Sequence, residues 1–352
     1  MFEPREQIRE MLGYHSPQVD VAVRLNTNES PFPPPQKWVE SLAEIAQKVA
    51  WNRYPDRAAT QLREVIAQRH GVHPENVFVA NGSNEVLQTI LLTYGGHGRK
   101  VATFEPTYQM YGQIARVTGA DVVTGSRRDD FTLDAHEIAR VVGSQEVAVT
   151  FLANPNNPTG VIEPRENLEV LLRTTKGIVV VDEAYAEFAN WSAIDMVSES
   201  ERLIVTRTFS KTLSLAALRV GYAIGPRWMI EKLAIAVLPY HLDAFKQEAT
   251  VAALSYVDEM QQRVNAITSE RTRIEQRLQG AGMTVWPSGA NFVLFRPPHD
   301  FVPHMWQQLL EKGILVRDCG SWPRLERCLR VTVGTEEENS LFLDAVDVLV
   351  GS

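Results

Sequence analysis

The chain has 352 residues, and its 35 lysines and arginines against 43 aspartates and glutamates give a formal net charge of −8. This acidic balance argues against nonspecific nucleic-acid binding, and no apolar run approaches the ~18 residues of a membrane-spanning helix. With no secretory pattern at the N-terminus and only two cysteines, Cys319 and Cys328, we expect a cytoplasmic protein without a metal site or a disulfide framework.

The first part of the chain predicts an arm followed by an α/β domain. Prolines within residues 31–35 indicate an extended arm, because each proline fixes φ and removes a hydrogen-bond donor. Short apolar runs then alternate with amphipathic stretches, and the runs are continuous, which is typical of parallel strands covered on both faces. The predicted strands are residues 77–79, 101–104, 147–151, 178–181 and 203–205. This alternation predicts a doubly wound α/β sheet.

The pattern changes near residue 240. Residues 246–280 predict one long helix, and short strands follow at 291–295, 314–317 and 329–333. Thr335 and Glu338 then form a capping box that starts the last helix. We therefore predict an N-terminal arm (1–36), a large α/β domain (37–243) and a smaller α+β C-terminal domain (244–352).

Polar residues follow the predicted strands, where an open parallel sheet binds its ligands. Ser83 and Asn84 open a helix after the first strand, so free N–H groups and the helix dipole favour a phosphate there. An ordinary helix cap is the alternative. Asn157 lies in a turn after the third strand, and the prolines of that turn hold the residues before them extended.

Two charged residues follow the remaining strands. Asp182 ends an apolar strand, so its carboxylate needs a positive partner or several donors. A magnesium-binding aspartate is the alternative, but the chain has no Gly-Lys-Ser/Thr phosphate loop. Lys211 lies in an apolar neighbourhood, which lowers a lysine pKa and makes the amine nucleophilic. Pyridoxal phosphate chemistry needs a combination of four groups: a phosphate cradle, a rigid amide, a buried anion and a nucleophilic amine.

Nine segments carry a resemblance to a known family, and they keep order and spacing over nearly the whole chain. They are residues 25–32, 53–56, 81–85, 106–111, 154–160, 182–185, 210–211, 313–318 and 329–335. In them the sequence resembles the fold-type I aminotransferases, and among these the histidinol-phosphate aminotransferase family. The resemblance implies pyridoxal 5'-phosphate as cofactor. It also implies a large domain with a mostly parallel seven-stranded sheet between helices, and a smaller α+β C-terminal domain.

The resemblance also implies a role for each cofactor-binding residue. Lys211 would form the covalent bond to the cofactor, Asp182 would pair with the ring nitrogen, and Tyr185 and Asn157 would bind the ring oxygen. Tyr108 would stack on the ring. The residues expected around the cofactor phosphate are Ser83, Asn84, Ser210, Arg219 and, from the neighbouring subunit of a homodimer, Tyr54.

The substrate contacts implied by the resemblance are fewer. Arg330 is the expected clamp for the glutamate carboxylate, Arg317 and Tyr14 are candidates for an anionic end of the substrate, and Asn28 is counted with them. Surface ion pairs are the alternative for both arginines, and packing of the arm is the alternative for Tyr14. Tyr111 is interpreted as a core residue, and His241 as a structural histidine.

The activity implied by the resemblance is transamination. The expected reaction converts L-histidinol phosphate and 2-oxoglutarate into imidazole-acetol phosphate and L-glutamate, in histidine biosynthesis. The expected partners are small molecules and a second copy of the chain. Two alternatives stay open, namely an aromatic amino acid aminotransferase and a threonine-phosphate decarboxylase.

Overall fold

The computed structural model describes residues 2–9, 11, 13, 17–298 and 305–351. The N-terminal part contains a short helix α1 (Glu6–Arg9), a strand β1 (Val23–Leu25) and the helices α2 (Gln36–Lys48) and α3 (Thr60–His70). The prolines of residues 31–35 lie between β1 and α2, where the sequence predicts an extended arm.

Strands and helices then alternate as predicted. In chain order they are β2 (Val77–Ala80), α4 (Ser83–Tyr94), β3 (Lys100–Glu105), α5 (Met110–Thr118), β4 (Asp121–Ser126), α6 (Ala135–Ile138), β5 (Val147–Ala153), α7 (Arg165–Thr174), β6 (Ile178–Asp182), β7 (Leu203–Thr208), β8 (Gly221–Ile224) and α8 (Arg227–Ala236). All five predicted runs form strands. The sequence reading missed β4 and β8.

Strands β2 to β8 form one seven-stranded sheet in the order β2-β8-β7-β6-β5-β3-β4. The pairings of β8 with β2 and with β7 are antiparallel and the other four are parallel, so the predicted mostly parallel α/β fold is confirmed. Alternate residues of β6 pack into different cores, Val181 into one and Val180 into another. Because both faces are buried, the strands are apolar without alternation.

The C-terminal part consists of helices and short strands. They are α9 (Ala244–Ala253), α10 (Val257–Gly280), β9 (Thr284–Val285), β10 (Phe292–Arg296), α11 (Met305–Glu311), β11 (Ile314–Asp318), β12 (Leu329–Thr332) and α12 (Glu336–Gly351). The capping box of α12 is confirmed, since the Thr335 N–H donates to Glu338 Oε2 at 2.8 Å and the Glu338 N–H donates to Thr335 Oγ1 at 3.2 Å.

The prediction of one helix over residues 246–280 is wrong. A 3-10 turn, Leu254–Tyr256, separates α9 from α10. Met260 of α10 still packs with the seven-stranded sheet, as Ala249 and Ala253 of α9 do, whereas Ile267 and Ile274 farther along α10 pack in the C-terminal core. The two helices thus pass together from one core to the other. Periodicity along the chain shows a helical pattern throughout and shows neither the turn nor the change of core.

The C-terminal strands form a second sheet in the order β1-β11-β12-β10-β9. Strand β1 lies parallel to β11 at one edge, so part of the predicted arm belongs to this sheet. Residues 26–29 then pass from β1 toward the large sheet. The domain boundaries at 36 and 243 stay a prediction. Among the described residues, no helix is long and apolar enough to cross a membrane.

Candidate active site

A cavity of about 300 Å³ opens at the carboxyl ends of β2, β5, β6 and β7. It brings together every cofactor residue predicted within one chain, namely Ser83, Asn84, Tyr108, Asn157, Asp182, Tyr185, Ser210, Lys211 and Arg219. The predicted substrate residues Asn28, Arg317 and Arg330 line it as well. Tyr54 does not line this cavity in the described chain, and Tyr14 lies outside the described residues.

One end of the cavity is built to hold an anion. Gly82 caps α4 with φ +80°, and a Cβ there would lie 2.5 Å from Arg219 Nη2. A Cβ on Gly221 would lie 2.4 Å from the Ser83 nitrogen, so both glycines are needed for this close approach. Arg219 Nη1 donates to Ser210 Oγ at 3.2 Å. The start of α4, two hydroxyls and a guanidinium thus converge as a phosphate would require.

Asp182 ends β6 at the floor of the cavity and is buried. Its Oδ2 accepts from the Tyr111 hydroxyl at 2.8 Å, and its Oδ1 accepts from the Ala184 N–H at 3.2 Å. Burial raises the pKa of Asp182 to about 6, although both hydrogen bonds act in the opposite direction. Both donors are uncharged. A protonated ring nitrogen would supply the positive charge that this carboxylate needs.

The sequence favours Tyr111 as a core residue over a site residue, and the structure shows that it is both. Its ring is buried and stacks on Phe151 with centroids 4.7 Å apart, as a core residue would. Its hydroxyl, however, reaches Asp182 and faces the cavity. A signal was present in the sequence, because Tyr111 follows Tyr108 by three residues at the start of α5, and the two rings meet edge to face at 5.4 Å.

Lys211 follows β7, and its Nζ donates to the backbone oxygens of Asn28 at 2.7 Å and Thr27 at 3.3 Å. Burial lowers the pKa of Lys211 to about 7, with the positive charge of Arg330 as the next cause. Glu29 acts in the opposite direction. The direction agrees with the sequence prediction. A large share of the amine is therefore neutral near pH 7, and a neutral amine is the nucleophilic form.

Arg330 lies on β12 and is buried, so it is not a surface ion-pair residue. Its Nη1 donates to Asn157 Oδ1, and its Nη2 donates to the Asn26 backbone oxygen at 3.0 Å. The guanidinium lies over the Phe292 ring, 5.1 Å from its centroid. Arg330 thus holds Asn157 in place and also lines the cavity, where an anionic group could contact it.

Two further aromatic contacts shape the cavity wall. The Tyr108 hydroxyl donates to Asn84 Oδ1 at 3.2 Å, which joins the predicted stacking residue to the start of α4. Trp322 lies under the guanidinium of Arg317 at 5.9 Å and was missed from the sequence. It sits in the loop between β11 and β12, where no periodic pattern predicts burial.

Other residues singled out in the sequence lie elsewhere. The His241 ring contacts the Val79 backbone oxygen at 2.9 Å and stacks on Phe78, so it packs beside β2 outside the cavity. Within the part of the chain that the structure describes, no group of three or more His, Cys, Asp or Glu side chains could hold a metal ion.

Comparisons with known proteins agree with this geometry. The family "Aminotransferase class I and II" matches residues 20–346. The chain is 41% identical to a histidinol-phosphate aminotransferase of Thermobifida fusca, over 99% of this chain and 95% of that protein. It is 42% identical to that of Frankia casuarinae, over 99% and 90%. A solved histidinol-phosphate aminotransferase from Sinorhizobium meliloti, in complex with pyridoxal-5'-phosphate, has a TM-score of 0.86 at 25% identity, covering 94% of this chain and 91% of that one.

Proposed function

The chain belongs to the class I and II aminotransferase family, and from that premise we propose that it uses pyridoxal 5'-phosphate to transfer the amino group of L-histidinol phosphate to 2-oxoglutarate. The products would be imidazole-acetol phosphate and L-glutamate, in histidine biosynthesis. The observation that carries the proposal is one cavity in which the amine of Lys211 and the buried carboxylate of Asp182 lie with an anion cradle. The cytoplasmic location stays a prediction.

The residues present fit pyridoxal phosphate. Gly82 keeps the start of α4 open beneath Arg219, and a side chain there would fill the cradle. Asp182 is buried among uncharged donors and suits a protonated ring nitrogen. Lys211 would bind the aldehyde, and Tyr185 and Asn157 would bind the ring oxygen. When bound, the cofactor supplies a ring that accepts electrons from the substrate carbon as that carbon loses its proton.

The chain's own residues would perform the remaining work. The neutral Lys211 amine would act first as a nucleophile, and the same Nζ would later take the proton from the substrate carbon and deliver it to the cofactor carbon that carried the aldehyde. Asp182 would place its negative charge beside the protonated ring nitrogen. Because the carboxylate is buried, water screens this charge little. Arg317 and Arg330 of the C-terminal sheet complete the lining of the cavity.

Two arginines from the C-terminal sheet explain how an acidic protein binds anionic substrates. Arg330 is buried beside Asn157, and Arg317 lies at the wall above Trp322. We assign the carboxylate of glutamate to Arg330 and the phosphate of histidinol phosphate to Arg317, since guanidinium groups bind both anions well. The names of the relatives that are 41–42% identical favour this donor over an aromatic amino acid.

A panel of amino donors tests the substrate. Histidinol phosphate, phenylalanine and threonine phosphate are compared by kcat/KM with 2-oxoglutarate, and release of carbon dioxide is followed in parallel. We expect histidinol phosphate to have the highest kcat/KM and to release no carbon dioxide. A higher value for phenylalanine would favour an aromatic aminotransferase. Carbon dioxide released from threonine phosphate would favour a decarboxylase.

The homodimer and its shared site belong to the same proposal. Tyr54 is 80% exposed and stacks on Tyr240 with ring centroids 4.5 Å apart. Other large apolar side chains on the described surface are also exposed, including Trp51, Ile235 and Leu238. Such exposure is typical of a surface that another protein covers. A second copy could bring its Tyr54 to the phosphate cradle of the first.

Mixed dimers test whether the site is shared. Subunits carrying Lys211→Ala are mixed with subunits carrying Tyr54→Ala, each of which forms impaired homodimers. If Tyr54 acts across the interface, the mixed dimer contains one site with both residues intact, and activity rises above either parent. If Tyr54 acts within its own chain, no site is restored and mixing gives no gain.

A further inference from the structure

A chain of hydrogen bonds leads from β12 through residue 28 to the Tyr185 hydroxyl. The Asn28 backbone N–H donates to Thr332 Oγ1 at 2.9 Å, and Thr332 Oγ1 lies 3.1 Å from Asn28 Oδ1. Asn28 Nδ2 lies 2.9 Å from the Tyr185 oxygen. All three side chains are buried, so water does not compete for these contacts. Asn28 and Thr332 are 304 positions apart in sequence.

Two contacts between Asn28 and Thr332 orient the Asn28 amide. A backbone N–H can only donate, so the Thr332 oxygen accepts from the Asn28 nitrogen. The hydrogen of the Thr332 hydroxyl has Asn28 Oδ1 as its acceptor in the structure, and a turned amide would leave this buried hydrogen without that acceptor. With Oδ1 facing Thr332, the Nδ2 of Asn28 donates to Tyr185. The O–H bond of Tyr185 therefore points away from Asn28.

Asn28 is itself held firmly. It has φ +55°, a left-handed conformation that asparagine tolerates better than most residues. Its backbone oxygen accepts from Lys211 Nζ at 2.7 Å and from Asn291 Nδ2 at 3.2 Å. The residue thus contacts both Lys211 and Tyr185, and neither of its side-chain polar ends can turn without breaking a buried hydrogen bond.

We propose that Thr332 and Asn28 are positioning residues that set the Tyr185 hydroxyl as a donor toward the ring oxygen of the cofactor. The inference rests on the proposed use of pyridoxal phosphate. In the reversed arrangement Tyr185 would donate to Asn28 and present its lone pairs to the cavity, where they would repel an anionic ring oxygen. The reversal would leave the buried hydrogen of the Thr332 hydroxyl without Asn28 Oδ1 as its acceptor, so the hydroxyl disfavours it.

The proposal predicts a spectroscopic change. A donor to the ring oxygen stabilises the state in which that oxygen carries the full negative charge, which is the deprotonated state of the bound chromophore. The donor therefore lowers the pKa of the chromophore. Without the Thr332 hydroxyl, the Asn28 amide can turn and accept from Tyr185. We expect Thr332→Val to raise the midpoint pH of the visible absorbance change by about half to one pH unit.

Matched variants separate this role from packing. Thr332→Ser keeps the hydroxyl and should leave the midpoint where it is in the parent protein. Thr103→Val is the control for the substitution itself, because Thr103 is buried on β3 and its Oγ1 has no hydrogen-bond partner among the described residues. It should leave the midpoint unchanged. An unshifted midpoint in Thr332→Val, or equal shifts in the valine and serine variants, would overturn the proposal.

Near-UV circular dichroism shows whether Thr332→Val is folded. If it is not, Thr332→Ala compared with Thr332→Ser makes the same test, with the same expected and contrary results. Failure of the parent protein to develop a visible band with pyridoxal phosphate would refute the proposed function. A normal band whose midpoint is insensitive to the Thr332 hydroxyl would refute the positioning role alone.

Discussion

The reactivity of Lys211 gives a prediction that can be worked out in numbers. Burial and the charge of Arg330 lower its pKa from 10.5 to about 7. At pH 8 about 90% of such an amine is neutral, against about 0.3% of a lysine with an ordinary pKa. Because only the neutral amine attacks an aldehyde, Lys211 should bind pyridoxal phosphate about 300-fold faster at this pH than an exposed lysine of equal intrinsic reactivity.

The assay is the rate of cofactor binding to cofactor-free protein, followed by the rise of visible absorbance in a stopped-flow instrument. The range from pH 6.5 to 9.5 keeps Asp182 mostly ionised, since its pKa is about 6. We expect the rate to increase with pH, pass its midpoint near pH 7 and level off above about pH 8. A rate that still rises about tenfold per pH unit at pH 9 would refute the reasoning.

A pair of variants tests the electrostatic cause. Arg330→Gln removes the charge that lowers the Lys211 pKa and should move the midpoint upward by about one pH unit. Arg330→Lys keeps the charge and should move it much less. Equal midpoints in the two variants would leave burial as the whole cause of the lowered pKa.

Three further variants probe the neighbouring groups. Asp182→Asn keeps the shape and removes the charge, so kcat should fall by at least about 10²-fold; kcat within tenfold of the parent would contradict the role of Asp182. Tyr111→Phe removes a hydrogen bond that lowers the Asp182 pKa, so in the cofactor-free protein the Asp182 carboxyl should titrate at a pH up to about one unit higher, as followed by carbon NMR of the carboxyl group; an unchanged midpoint would contradict this. Arg317→Gln should raise KM for histidinol phosphate by about 10- to 100-fold, whereas the exposed Arg140→Gln should not; an unchanged KM would remove Arg317 from the phosphate site.

Much of the cavity was predictable because the topology of a parallel sheet brings the carboxyl ends of its strands to one edge. Ser83, Asn157, Asp182 and Lys211 each follow an apolar run, and the runs were recognisable without any structure. The polar residue after each run therefore had a predictable place. The roles of these residues came from the resemblance and stay predictions.

What the sequence did not show depends on contacts between distant segments. The pairing of β1 with β11 joins residue 23 to residue 314, and no local pattern encodes it. The 3-10 turn at Leu254–Tyr256 and the later passage of α10 from one core to the other are not visible in the helical pattern, which continues on both sides of the turn. Tyr111 looked like a core residue because its ring is one, and only the fold shows that its hydroxyl reaches Asp182.

Strand β12 connects these observations. Arg330 and Thr332 are two residues apart, so their side chains lie on the same face of the strand. Arg330 can only donate, which turns the Oδ1 of Asn157 toward it and leaves the Nδ2 of Asn157 as a donor. Thr332 fixes Tyr185 as a donor through Asn28. A one-residue slip of β12 would turn both side chains away from the cavity. The register of β12 against β10 and β11 therefore determines whether both proposed ring-oxygen ligands present a hydrogen.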